Sequence, residues 1–379
     1  MRVSLFNRKV IAHFDFVLIM LILPLAAMSL YLISEISQEL AYKQMIYMTV
    51  ACALFLVVFA LPIRGFYWLI PVGYWFGIAL LVLVDFAGVT QGMGAQRWLK
   101  LPLINLTIQP SETFKPFFVL MLAYLVREAP PGAKGYGWIE LGKLSFYILL
   151  PFFLILREPD LGSATLLLLV GGGIIISVGL RRRIIVTLTI GAAVACALFY
   201  TVGYDMLHDY QKKRISDFLS EESNYHVQQS LIAIGNGGLY GKTSEESTQA
   251  QLKFLPIATS DFIFAYFVER FGFAGALGLF AIYVSIVLHL LSMNLKVNGD
   301  YLATVTITGT AIMIFLYMAI NIAMTIGFAP VVGVPLPMFS HGGSSFVNFV
   351  VLVAIIENFL AFRFNFLYTS APRSVKMGS

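Results

Sequence analysis

The chain has 379 residues, of which 59% are hydrophobic and 12% charged, with a formal net charge of +5. A mean hydropathy of +0.84 excludes a water-soluble enzyme, and long uncharged apolar runs read as bilayer spans. The positive balance fits the Lys/Arg bias of cytoplasmic loops and gives no reason to expect nucleic acid.

The N-terminal MRVSLFNRK is basic and precedes an apolar stretch. At about 20 residues that stretch is too long for a signal-peptide core, so it reads as a retained first helix. Ten apolar segments follow one another: 15–34, 45–63, 66–84, 112–126, 144–157, 161–180, 184–203, 262–291, 301–328 and 345–367. The eighth is long enough to hold a break near Gly272. The expected fold is an all-α polytopic membrane protein of about ten transmembrane helices. A tail of residues 1–14 precedes the membrane domain 15–367, and a tail of residues 368–379 follows it. Cys52 and Cys196 both lie inside apolar runs and imply no disulfide framework.

An even number of spans puts both termini on one side. That side collects most of the short-loop cations, among them Arg64, Arg127, Lys143, Arg181, Arg182, Arg183, Lys296 and Arg363. The opposite short loops hold only Lys43, Arg97, Lys100 and Arg157. Both termini are therefore expected in the cytoplasm, and residues 204–260 form a large extracytoplasmic loop between helices seven and eight. On the outer side, the even-numbered helices from the fourth onward open with polar or glycine-rich motifs. These are Gln109-Pro110-Ser111-Glu112, Glu158-Pro159-Asp160-Leu161-Gly162-Ser163, Thr259-Ser260-Asp261 and His341-Gly342-Gly343-Ser344-Ser345. Four helix N-termini on one face, with free N–H groups and positive dipole ends, form an anion site.

Single residues allow two readings each. Asp261 is either a helix-capping acid or a general base in a cleft where desolvation raises its pKa. Lys115 sits in a first turn, where a cation opposes the helix dipole; it either pairs with Glu112 or meets a phosphate. Arg97 and Trp98 read as an interfacial anchor or, for Arg97, as a phosphate contact. Arg157, Glu158 and Asp160 suggest a local salt bridge. Glu269 and Arg270 suggest another, at the break in the eighth span. Glu357 and Asn358 fall inside the last span, where an acid faces the bundle interior. Gly235 to Thr243 imitates a phosphate-binding loop, but Asn236 stands where the motif needs glycine, and the glycines read instead as tight turns. The five histidines show no metal-ligand spacing.

These motifs, taken in order, resemble the SEDS family of shape, elongation, division and sporulation proteins. The matching stretches are RWLKLPLINLTIQPSETFKP at 97–116, REPDLGSA at 157–164, QSLIAIGNGGLYGK at 229–242, FLPIATSDFIFA at 254–265 and MTIGFAPVVGVPLPMFSHGGSS at 324–345. The resemblance implies a glycosyltransferase that polymerises lipid II into peptidoglycan at the outer face of the cytoplasmic membrane. Asp261 and Lys115 fall on the family's catalytic positions. The set implied for substrate binding is Arg97, Trp98, Gln109, Ser111, Glu112, Asp160, Gln229, Ser344 and Ser345. The implied partner is a class B penicillin-binding protein, a single-span transpeptidase. No residues are assigned to a metal, although a divalent cation, Mg or Mn, would suit a diphosphate leaving group. The short N-terminal extension and tail favour the RodA-like elongation branch over the FtsW-like division branch. Three positions depart from the pattern: Ile257 follows Pro256, Arg270 follows Glu269, and His341 replaces a usual tyrosine. A flippase for the lipid-linked precursor is the alternative from another class, and a scaffold for the transpeptidase is a third.

Overall fold

A computed structural model describes residues 8–90, 96–100, 107–158, 160–201, 225–244, 246–247, 259–297 and 299–363. Residues 368–379 and much of the expected loop 204–260 lie outside them. In chain order the helices are α1 (Arg8–His13), α2 (Phe16–Ile36), α3 (Gln38–Ala60), α4 (Ile70–Ala87), α5 (Pro110–Glu128), α6 (Trp138–Arg157), α7 (Leu161–Val178) and α8 (Arg182–Thr201). They continue with α9 (Tyr225–Gly237), α10 (Ile263–Met293), α11 (Tyr301–Thr325) and α12 (Gly343–Ala361).

Each of the ten apolar segments contains a helix. The additions are α1 and α9, the latter inside the stretch expected to be loop. Among the described residues, eight helices are long and apolar enough to cross a membrane, and α5 and α8 are not among them. The composition of α5 follows from its place. It packs against α4, α7, α11 and α12, most of its residues are buried, and it can carry Glu112 and Lys115 because both side chains face the bundle interior, buried against protein.

Helix starts explain the boundaries. Asp15, Asp160 and Asp300 are N-caps whose carboxylates accept from the backbone N–H of Leu18, Ser163 and Ala303, satisfying donors that the first turn leaves free. Ser37 does the same for α3 through Leu40 N. Close approach between helices is made by small residues, as expected where lipid removes a hydrophobic drive for association. Gly73 and Gly77 of α4 lie against the rings of Phe117 and Phe114, and Gly309 of α11 against Ile174 and Val119.

Two features add to the helical reading. Between α4 and α5 stands a three-stranded antiparallel ribbon, β1 (Val89–Thr90), β2 (Gln96–Lys100) and β3 (Thr107–Ile108), in the order β1-β2-β3. Its strands are too short to give a period-two signal. The second is the expected break in α10, at Gly272 with φ 66°. The turn that follows α9 seals it: Phe273 N donates to Gly238 O at 2.8 Å, Ala274 N to Leu239 O at 3.0 Å and Lys242 N to Glu269 O at 2.9 Å. Gly238 and Gly241 there have φ of 54° and 82°, so the phosphate-loop imitation is a glycine turn that closes a helix break.

The end of the bundle where α5 finishes gathers charged and polar contacts between helices, with Asp15 buried among them. Arg64 bonds Asp300 at 2.7 Å, and Asp15 bonds both His289 and Lys296 at 2.8 Å. Glu357, fully buried on α12, accepts the Asp15 N–H at 2.9 Å, so its partner is the start of α2. Arg270 is a correction: it pairs with Glu35 of α2 at 2.7 Å, a partner so distant in sequence that spacing could not reveal it.

Candidate active site

At the opposite end lies a cavity of about 700 Å³. The starts of four helices converge on it, bringing Gln109 and Glu112 (α5), Asp160 and Ser163 (α7), Ser260 and Asp261 (α10), and Gly342 to Ser345 (α12). The remaining wall comes from Arg97 and Trp98 of β2, from His226, Val227 and Leu231 of α9, and from the loop of residues 326–335. From sequence the loop was not named as a site and α9 contributed Gln229 alone, which is not among the residues lining the cavity. Only residues 326–328 of the loop fall in an apolar run, and α9 falls in a polar stretch.

Asp261 behaves unlike the other helix-start acids. The N-cap of α10 is Phe262, and no side chain caps it. The Asp261 carboxylate is therefore not spent on its helix. It opens partly to the cavity but lies deep among protein atoms, and this burial pushes its pKa up to about 6. Nearby Asp160 adds to the rise, while a hydrogen bond from Ser260 opposes it. Such a carboxyl is ionised at neutral pH and basic enough to take a proton.

Asp160 is committed elsewhere. It caps α7, accepts from Gln109 Nε2 at 3.2 Å and lies 3.9 Å from Arg97. Arg97 also donates to the Glu158 carbonyl at 3.2 Å. The β ribbon thus aims Arg97 at the α6–α7 turn and the cavity, which is more specific than an interfacial anchor.

Lys115 lies behind this wall. It is 3% exposed, and its ammonium donates to Glu112 Oε1 and to the Tyr317 hydroxyl, with the Tyr317 ring 4.8 Å away. Of the substrate-binding set, Arg97, Trp98, Gln109, Glu112, Asp160, Ser344 and Ser345 line the cavity, whereas Ser111 and Gln229 do not; of the two residues at catalytic positions, Asp261 lines it and Lys115 does not. His341 lines it as well, and burial first, then Lys43, holds its pKa below the ordinary value, so the imidazole is neutral at pH 7.

A divalent cation finds no ready ligand set among the described residues, where no group of three His, Cys, Asp or Glu side chains is placed to hold one. The acids at the cavity explain this: Asp160 is taken by Arg97, Gln109 and its cap, and Glu112 by Lys115.

Residues 5–364 match the model of a cell cycle protein family that spans FtsW, RodA and SpoVE. The chain belongs to that family. It is 51% identical to the peptidoglycan glycosyltransferase MrdB of Helicobacter pylori over 97% of this chain and 95% of that protein. The MrdB of Escherichia coli is 34% identical, over 88% and 90%. In fold it is similar to a chain of a solved peptidoglycan synthase complex, described as coordinating polymerization and crosslinking. The TM-score is 0.80 at 24% identity, covering 93% of this chain and 98% of that one.

Proposed function

We infer that this multi-pass membrane protein is a peptidoglycan glycosyltransferase of the elongation type, and that it polymerises lipid II. The observation that carries the reaction is an acid free of capping duty, Asp261, at the wall of a cavity where four helix N-termini converge. Asp261 takes the proton from the acceptor sugar hydroxyl. The hydroxyl oxygen forms a new bond to the donor's anomeric carbon, and the bond from that carbon to the diphosphate oxygen breaks. Undecaprenyl diphosphate leaves with the electron pair. A single displacement inverts the anomeric centre, so one base suffices.

Negative charge grows on the departing diphosphate, and fixed dipoles that face it lower the barrier. The starts of α5, α7 and α12 supply such dipoles, and Arg97 supplies a guanidinium suited to phosphate. In this reading Lys115 acts through Glu112, setting its position and charge at the wall rather than touching the phosphate. No step is assigned to a metal.

The cavity is taken to face the outside of the cytoplasmic membrane. Support comes from the cations at the other end, including Arg64, Arg127, Lys296 and Arg363, which the positive-inside rule places in the cytoplasm. A class B penicillin-binding protein is the proposed partner, in keeping with the fold shared with a chain of the synthase complex. Purified full-length protein supplied with lipid II, with and without that transpeptidase, tests the reading. Glycan strands with release of undecaprenyl diphosphate are expected. Transfer of intact lipid II across vesicles without polymer would favour a flippase instead.

A further inference from the structure

Three consecutive carbonyls lead up to and include Asp261, and each is held by a donor from the last third of the chain. His341 N donates to Thr259 O at 2.7 Å, Ser340 Oγ to Ser260 O at 2.6 Å and Asn321 Nδ2 to Asp261 O at 2.8 Å. The same Asn321 nitrogen donates to Val334 O at 2.7 Å, and Ser340 Oγ accepts from Leu336 N at 2.8 Å. Asn321 is fully buried on α11 and Ser340 is 4% exposed.

Residues 259–261 belong to no helix or strand, so their carbonyls have no ladder to join and must find donors elsewhere. One amide, on a membrane-spanning helix, ties the backbone of the acid to the backbone of the 326–335 loop. The turn that supplies Ser340 and His341 is itself held, by Tyr283 Oη donating to Pro337 O at 2.7 Å. It also contains Met338, a non-glycine residue with positive φ, at 58°, a conformation retained where the surroundings over-determine it. Asn321 Oδ1 is buried without a partner among the described residues. That orphan acceptor costs stability and is set against the two carbonyls the same amide satisfies.

We propose that Asn321 and Ser340 are positioning residues of the reaction, clamping the backbone of Asp261 so that its carboxylate is held at fixed depth against the cavity loop. The proposal rests on reading Asp261 as the base. It concerns residues that touch no substrate and act only through the segment they hold.

The test compares Ser340→Ala, Ser340→Thr, Asn321→Ala and Asp261→Asn in the full chain purified with its transpeptidase. Readouts are kcat and KM for lipid II polymerisation, the pH profile of kcat, and thermal unfolding. A displacement of about 1 Å at a reacting group costs on the order of a hundredfold. Expected are a kcat loss of about tenfold for Ser340→Ala and up to about a hundredfold for Asn321→Ala. KM should stay within about twofold. Ser340→Thr, which keeps the hydroxyl, restores most of kcat. The acid limb moves to lower pH in the alanine variants, because a loosened carboxylate meets more water. The other titratable groups at the cavity, Arg97, Glu112, Asp160, His226 and His341, are unchanged between variants.

Wild-type kcat per folded molecule in Ser340→Ala, or lowered thermal stability with an unmoved acid limb and equal losses in Ser340→Thr, would overturn the positioning role alone. Wild-type kcat in Asp261→Asn would remove the base, and the positioning role with it. If Asn321→Ala does not fold, the two Ser340 variants decide.

Discussion

Asp261 and Gly333 meet at the cavity wall: a Cβ at Gly333 would stand 3.5 Å from Asp261 Oδ2. Gly333 has φ 68°, a conformation that costs an L-residue about 1–2 kcal/mol. Gly333→Ala should therefore shift the loop that faces the base. We expect kcat for glycan formation to fall about tenfold while the protein still folds, as judged by thermal unfolding in detergent. Unchanged kcat would detach this loop from the reaction.

The raised pKa of Asp261 has consequences for activity and for stability. A base must be ionised, so kcat should fall as pH drops through about 6. The drop should be roughly tenfold per pH unit below that. For stability the sign is opposite to that of a paired carboxylate. Between the ordinary 3.8 and the shifted value of about 6, the folded chain binds the proton more tightly than the unfolded chain. Stability therefore declines as pH rises through that window and stays lower above it. Asp261→Asn removes this penalty and should stabilise the fold at pH 7 by something on the order of 1 kcal/mol, allowing for the carboxylate's access to the cavity. A destabilised Asn variant would contradict the burial argument.

Lys115 offers a way to separate folding from catalysis. Removing its ammonium leaves Glu112 buried without its cation, a change that costs about 3–5 kcal/mol. Lys115→Met should unfold at markedly lower temperature. Adding Glu112→Gln should recover much of that loss, because the orphaned charge goes with it. Activity should stay low in both variants if the pair serves the reaction. Recovery of activity together with stability would make the pair structural only.

The seal on the α10 break is a packing constraint. A Cβ at Gly237 would lie 2.1 Å from Val268 O, and one at Gly241 would lie 2.2 Å from Arg270 O. Backbone cannot yield as a flexible side chain does, so either alanine substitution should cost more than about 2 kcal/mol. Alanine at Gly235, which meets nothing within 4 Å, is the control and should be neutral. Thermal unfolding of the three variants decides.

Features written in local sequence were legible. Apolar run length located the helices, the glycine inside an overlong span marked the break, and polar motifs at helix starts foretold the cavity where four N-termini meet. What was not legible depends on contacts between distant residues. Arg270 finds Glu35 across the bundle, Asn321 finds Asp261, and Tyr317 meets Lys115 at the core. A lysine in a first turn looks the same in sequence whether it faces a phosphate or is folded behind the wall. The ribbon that carries Arg97 has strands too short for a periodic signal, and α9 hides in a stretch whose polarity suggests only loop. Asp261 showed both possibilities in sequence, and the structure sets aside only the capping one, since no side chain caps α10.

The most direct measurement is polymerisation of lipid II by the purified wild-type chain with its transpeptidase, set beside Asp261→Asn at matched folded concentration. With Asp261 as the base, wild type makes glycan and releases undecaprenyl diphosphate. The variant, folded and at least as heat-stable, should be slower by about a hundredfold or more. Equal rates in the two proteins would contradict the assignment of Asp261 as the base.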